Sequence, residues 1–250
     1  MTSIKNKFLF FKFKTSLLLK RDSILLNNKK FYFIKKSIKY LFKEIFIKKT
    51  YYFNTSNSSP LIFDCGANVG LATIYFKSIY PDSKVIAFEA NAITHDILKN
   101  NLRDYTDVIT YQKALVDFEG EIKFFYNKEE TGDLGMSINE RYFKDFEIVP
   151  ATKLSNYIEK EVDLLKLDIE GAEDLVLKDL INSKKIKFIR QMIIEYHHQD
   201  LKMTSKIGKF ISDLEQNNFT CHISTENEEL FLSPRQQTFI IYAFNKDYTD

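Results

Sequence analysis

A chain of 250 residues, 44% apolar and 28% charged, can bury a sizeable core and belongs to the globular class; collagen-like, disulfide-framework and wholly disordered readings are excluded. The formal charge of +2 conceals a split. Residues 1–50 carry 14 Lys and Arg against two acids, Asp22 and Glu44, a net of +12, which leaves −10 on the other 200 residues.

In residues 4–20 a charge interrupts the apolar run every few positions, so neither a membrane-spanning segment nor a signal-peptide core can be drawn. Two cysteines, Cys65 and Cys221, without zinc or disulfide spacing suit a reducing compartment, and the expected location is cytoplasmic. From Phe31 to Lys49 the pattern predicts a helix. Ile34, Ile38, Leu41, Phe42, Ile45 and Phe46 fall on one stripe, with lysines mostly off it. Residues 1–55 thus read as a basic amphipathic helical extension. Its stripe can pack on the following domain, or residues 1–50 can make peripheral contact with an anionic membrane. Nucleic acid is disfavoured because no recognition module accompanies the charge.

After Asn54–Pro60 the composition shifts, and residues 56–250 read as one domain. Leu61–Cys65 is a short apolar strand, followed by a glycine loop and a helix over Val69–Ile79. Lys84–Phe88, Ile93–Leu102 and Val108–Leu115 repeat strand, helix, strand. Residues 117–157 break the rhythm: Phe118–Phe125 suggests a hairpin arm turning at Glu119 and Gly120, and the rest reads as an irregular insertion covering a site, with Gly135, Met136 and Ser137 near substrate. The alternation resumes with Val162–Leu167 (strand), Ala172–Ile181 (helix), Ile186–Glu195 (strand) and Ser205–Gln216 (helix). The last two strands, Phe219–Ile223 and Thr238–Phe244, pair as an antiparallel hairpin. Such alternation predicts a mostly parallel sheet with helices on both faces.

The chain has only seven glycines, and two of them, Gly66 and Gly70, lie in the loop after the first of these strands, Asp64-Cys65-Gly66-Ala67-Asn68-Val69-Gly70. Doubly wound folds bind ligands at that edge of the sheet. Nineteen residues beyond Gly70, at the end of the second strand, Glu89 is placed to accept from both ribose hydroxyls of an adenosine ligand. Dinucleotide binding prefers G-x-G-x-x-G, whereas here Asn68 holds the middle position. Asp64 would repel a pyrophosphate but can hold an ammonium group, so the charges favour S-adenosylmethionine over NAD.

The sequence resembles the FkbM family of S-adenosylmethionine-dependent methyltransferases in FDCGANVG (Phe63–Gly70), in AFEAN around Glu89 and in LLKLDIEGAE (Leu164–Glu173). The resemblance covers residues 61–200. It implies an α/β, Rossmann-like class I methyltransferase fold: a seven-stranded sheet of order 3-2-1-4-5-7-6 with the seventh strand antiparallel. By this reading Asp64, Gly66, Asn68, Gly70 and Glu89 bind the donor, with Ala114 or Leu115 against adenine. The family often has Thr-Leu-Asp before its fourth strand; this chain has Thr152-Lys153-Leu154-Ser155, which receives no catalytic role.

Methyl transfer requires alignment of the acceptor and removal of its proton. Asp168, at the mouth of the fourth strand, is the first candidate, with Glu170 and Glu173 completing an acidic cluster and Lys166 as a buried partner. Period two puts Glu195 and His197 on one strand face and His198 on the other. His197 is preferred over His198 as base, so the catalytic set is Asp168, Glu170 and His197. No metal site is assigned, although Asp168, Glu195 and His197 could hold a divalent ion. The resemblance, with the lack of an Asn-Pro-Pro-Tyr motif, implies O-methylation of a glycan, glycolipid or secondary metabolite. The rivals are an NAD-dependent oxidoreductase or epimerase, disfavoured by the lack of a Tyr-x-x-x-Lys pair, and a non-catalytic binding protein. No oligomeric state is assigned.

Overall fold

In a computed structural model, described here over residues 22–26, 29–34, 37–127, 136–140, 143–198, 206–225 and 237–248, the expected alternation forms one central sheet. Its strands are β3 (Leu61–Cys65), β4 (Lys84–Glu89), β5 (Val108–Gln112), β9 (Val162–Leu167), β10 (Ile189–His198), β11 (Phe219–Thr225) and β12 (Gln237–Asn245). Their spatial order is β11-β12-β10-β9-β3-β4-β5. Counted along the chain within this sheet, that is 3-2-1-4-5-7-6. β12 runs antiparallel to both neighbours, and the other pairs are parallel.

The central strands read as continuous apolar runs because helices cover both faces. β9 is buried at all six positions. On one face α2 (Leu71–Ile79) and α3 (Ala92–Leu102) enclose a core with Phe76 and Leu98. On the other α4 (Glu173–Asn182) and α5 (Ile207–Gln216) enclose one with Val176 and Phe210.

The amino-terminal segment departs from expectation. Phe31 and Tyr32 are extended, in a hairpin of β1 (Ser23–Leu26) and β2 (Lys29–Tyr32), and the helix begins at Ile38 as α1 (Ile38–Phe42), continuing as a π-helical turn over Lys43–Lys48. Most of the predicted stripe is nonetheless buried: Ile38, Phe42, Ile45 and Phe46 join the α2–α3 core, Ile34 and Leu41 are half-buried against it, and Lys39, Lys43, Lys48 and Lys49 stay exposed. Burying each such apolar side chain contributes about 1.5–3 kcal/mol, which favours the packed alternative for Ile38, Phe42, Ile45 and Phe46. Residues 4–20 lie outside the described residues. Among those described, no helix is long and apolar enough to cross a membrane.

Polar contacts fix the same segment. The Asn101 amide accepts from Tyr32 N–H and donates to the Tyr32 and Val69 carbonyls, each at 2.8 Å. Asp163 at the start of β9 accepts from Thr55, Asn57 and Leu61 N–H, so the Ser- and Asn-rich stretch is a pinned loop.

Residues 117–157 are more regular than expected. The strand predicted to Leu115 breaks at Lys113, and β6 (Ala114–Leu115) joins β8 (Phe146–Thr152) and β7 (Gly120–Phe125) in a separate sheet of order β6-β8-β7. β7 pairs with β8, not with β6, so the chain's turn at Glu119 and Gly120 closes no hairpin. Gly135 lies outside the described residues.

Candidate active site

The loop after β3 is shaped by the end of β9. Gly66 adopts φ +80°, and a Cβ there would stand 1.7 Å from the carbonyl oxygen of Asp168. Only glycine allows the two strand ends to approach this closely. Gly66 N–H and Ala67 N–H both donate to the Phe88 carbonyl, at 3.0 and 2.8 Å. Asn68, at φ +48°, turns the chain and donates its N–H to Glu89 Oε2 at 3.0 Å. Gly70 caps α2 at φ +91°, where a Cβ would meet Leu98 Cδ1 at 2.8 Å.

Above this loop opens a cleft. Gly66, Ala67 and Asn68 form its floor, Glu89 and Ala90 one side, and Lys113, Ala114 and Leu115 the rim beyond. Phe124, Met136 and Ile138 from the 117–157 region close it on one flank, and Asp168, Ile169 and Glu170 on the other. Leu41, Ile45 and Tyr51 from the amino-terminal segment also line it. Of the predicted donor residues, Gly66, Asn68, Glu89 and Ala114 line the cleft. Gly70 does not; it packs α2 against α3.

Asp64 also lies elsewhere than expected. It is fully buried beneath the loop, accepts from Thr73 Oγ1 at 2.6 Å and stands 3.2 Å from Lys166 Nζ. Its charge is matched by Lys166, so it is not available to an ammonium group in the cleft. Lys166, 2% exposed, is also 3.3 Å from Asp168 Oδ2 and donates to the Gly66 carbonyl at 2.7 Å. Burial alone would lower its pKa, but Asp168 and Asp64 raise it and hold it charged.

Glu89 is 6% exposed, and burial pushes its carboxyl up to about 7 despite the N–H groups of Asn91 and Asn68 on its two oxygens. Between the ordinary carboxylate range and pH 7 the folded state holds a proton that the unfolded chain has lost. This group's contribution to stability therefore falls as pH rises through that window.

Glu170 and Gly171 form a left-handed turn, φ +56° and +101°, at the entry to α4. Ser137 Oγ donates to the Glu170 carbonyl and Asn139 Nδ2 to that of Gly171, which fixes the 117–157 region against the turn. Glu173 Oε1 receives Gly171 N–H at 2.9 Å and His197 Nδ1 at 2.9 Å. On the other side of the ring, His197 Nε2 is 3.3 Å from Glu170 Oε2 and 4.0 Å from Glu195 Oε1. Burial would lower the imidazole's pKa, but Glu170, Glu173 and Glu195 outweigh it and hold it well above its ordinary value. Three carboxylates around the ring favour the charged imidazole over the neutral base expected from the sequence, so no proton-abstracting step is built on His197. The side chain of His198 lies outside the described residues.

Asp168, Glu170 and His197 bring one potential ligand atom each within 4.8 Å of one another, so Glu170 takes the place given to Glu195 in the sequence-derived metal alternative. Tyr51 was not foreseen. Its hydroxyl lies 3.0 Å from Asp168 Oδ2 and 3.1 Å from Glu195 Oε2, and burial followed by those two charges raises its pKa, keeping it a donor.

Comparisons with known proteins agree with this architecture. Residues 64–221 match the family described as the methyltransferase FkbM domain. The chain is 29% identical over 193 residues to methyltransferase sdnD of Sordaria araneosa, covering 62% of this chain and 73% of that one. It is also 29% identical over 170 residues to methyltransferase 1 of Beauveria bassiana, covering 58% and 68%. The crystal structure of methyltransferase FkbM from Methylobacillus flagellatus KT superposes with a TM-score of 0.53 at 15% identity, over 77% of this chain and 45% of that one; this shows a shared fold. With the family motif spanning both the Gly66 loop and the acidic cluster, the chain belongs to the FkbM methyltransferase family.

Proposed function

We propose that the chain is an S-adenosylmethionine-dependent O-methyltransferase acting on a hydroxyl of a glycan, a glycolipid or a secondary metabolite. One observation carries this reading: a single cleft presents the buried carboxylate of Glu89 on one side of the Gly66 loop and Asp168 on the other.

The residues fit the donor. Each Glu89 oxygen already accepts one backbone N–H, which leaves one lone pair on each for the two ribose hydroxyls. Gly66 keeps the floor clear of side chains, and Ala114 and Leu115 offer an apolar face to adenine. The donor supplies a methyl group already activated on a positively charged sulfur. Asp168 takes the acceptor's hydroxyl proton while that oxygen bonds the methyl carbon and the carbon–sulfur electron pair returns to sulfur. Phe124, Met136 and Ile138 flank the cleft with apolar surface that excludes water. Oxygen as the target is supported by the lack of an amide-binding motif after β9 and by the carboxylate cluster.

The test is transfer of labelled methyl from S-adenosylmethionine into a cell extract fractionated into lipid, glycan and small-molecule pools. Label in none of the hydroxyl-bearing pools, or tight calorimetric binding of NAD without response to S-adenosylhomocysteine, removes the reading. Asp168→Asn is expected to lower transfer about 10²- to 10⁴-fold, the usual worth of a general base, while S-adenosylhomocysteine still binds. Glu89 gives a pH signature. Its carboxylate form accepts the ribose hydroxyls, so S-adenosylhomocysteine affinity rises roughly tenfold from pH 6 to pH 8 as a group with pKa about 7 ionises. Glu89→Gln binds more weakly and without that dependence; equal slopes in calorimetry for both proteins exclude the assignment.

A further inference from the structure

We propose that Tyr51 is a positioning residue for methyl transfer: its hydroxyl, held between Asp168 and Glu195, fixes the Asp168 carboxylate so that Oδ1 is the oxygen presented to the acceptor. The inference deepens the reading above and rests on Asp168 as the base. Tyr51 precedes residues 64–221, the part of the chain that matches the family, so the matched segment does not contain it.

The geometry is specific. Both donors that reach Asp168 converge on one oxygen: Tyr51 Oη at 3.0 Å and Lys166 Nζ at 3.3 Å from Oδ2. Among the described residues, no side-chain donor is placed on Oδ1. A carboxylate anchored through one oxygen by two donors from different directions has a defined rotation, and its second oxygen keeps its lone pairs for the acceptor. Without the hydroxyl, Lys166 is left as the anchor, and it is shared with Asp64 at 3.2 Å. Glu195 Oε2 also lies 3.1 Å from the hydroxyl, which has one proton to donate and in this proposal gives it to Asp168.

The backbone around Tyr51 is held for this task. Lys49 ends the π-helical turn in the left-handed region, Thr50 N–H donates to the Glu44 carbonyl and Tyr52 N–H to that of Lys49. Tyr242 Oη donates to the Thr50 carbonyl at 3.1 Å. The ring is 5% exposed, lines the cleft and lies 5.3 Å from Lys166 Nζ. Ring packing and hydroxyl placement are therefore separable, because phenylalanine keeps the first and deletes the second.

The experiment compares wild type, Tyr51→Phe, Asp168→Asn and the double variant. Two readouts are used: calorimetric binding of S-adenosylhomocysteine and the initial rate of labelled-methyl transfer into the cell extract. Tyr51→Phe is expected to bind S-adenosylhomocysteine within about twofold of wild type and to transfer methyl at least about tenfold more slowly, the size of a lost hydrogen bond to a charged group. The double variant is expected to be no slower than Asp168→Asn, because Tyr51 acts through Asp168. A wild-type rate for Tyr51→Phe beside a slow Asp168→Asn overturns the proposal and leaves the Asp168 reading intact. A wild-type rate for Asp168→Asn overturns both. A double variant slowed by the full product of the single effects shows that Tyr51 acts elsewhere and also overturns it.

Discussion

Gly66→Ala is expected to lose on the order of 4 kcal/mol of stability or more, together with S-adenosylhomocysteine binding, as read by denaturant unfolding and calorimetry. The added Cβ would sit 1.7 Å from the Asp168 carbonyl oxygen and 2.9 Å from its carbon, both backbone atoms, so no rotamer change relieves the clash. The residue also sits at φ +80°, where alanine is strained whatever the space. Relief requires the loop to rise from the end of β9, which breaks the Lys166 bond to the Gly66 carbonyl and tilts the cleft floor. Gly208 is the internal control, since a Cβ there meets nothing within 4 Å. Equal unfolding midpoints for Gly66→Ala and Gly208→Ala contradict this account.

Lys166→Met is expected to cost about 3–5 kcal/mol, the usual result of removing one partner of a buried ion pair. The methionine fills the volume but leaves Asp64, 0% exposed, with Thr73 Oγ1 as its neighbour and no cation. It also strips the Gly66 and Cys65 carbonyls of their shared donor. Because the lysine's pKa is raised in the fold, its contribution is complete at neutral pH and declines only as pH rises through that elevated value. Pairing the change with Asp64→Asn is expected to recover part of the loss. If unfolding shows the double variant to be no more stable than Lys166→Met alone, the charge imbalance is not the cause.

Much of this was legible because the governing interactions are local or periodic. β3, β4 and β9 are short apolar runs between turn signals, and Glu89 is marked by its distance from the Gly66 loop. Contacts between distant segments are of another kind. The sequence sets Asp64 toward a ligand, yet strand period alone cannot say that Lys166 on β9 lies 3.2 Å away and balances its charge inside the protein. His197 looks like a free base in the sequence because nothing there shows that Glu170 and Glu173, from the next helix entry, come within 3.3 and 2.9 Å of its ring. The lysines of 29–49 fit either a helix face or a hairpin edge, and Asn101, from α3, pins the strand. Tyr51 had no signal at all, since its partners are 117 and 144 residues away.

Those separations bear on how the molecule assembles. The segment holding Tyr51 finds its polar partners late along the chain: Asp168, Glu195 and, for the Thr50 carbonyl, Tyr242, 192 residues on. Closure over such long loops is slow. The apolar stripe of the same segment meets α2 and α3 within about 60 residues, whereas the hydroxyl of Tyr51 waits for β9 and β10. The amino-terminal segment can therefore pack before the cleft exists, and the cleft is completed only when the later strands bring Asp168 and Glu195 to Tyr51.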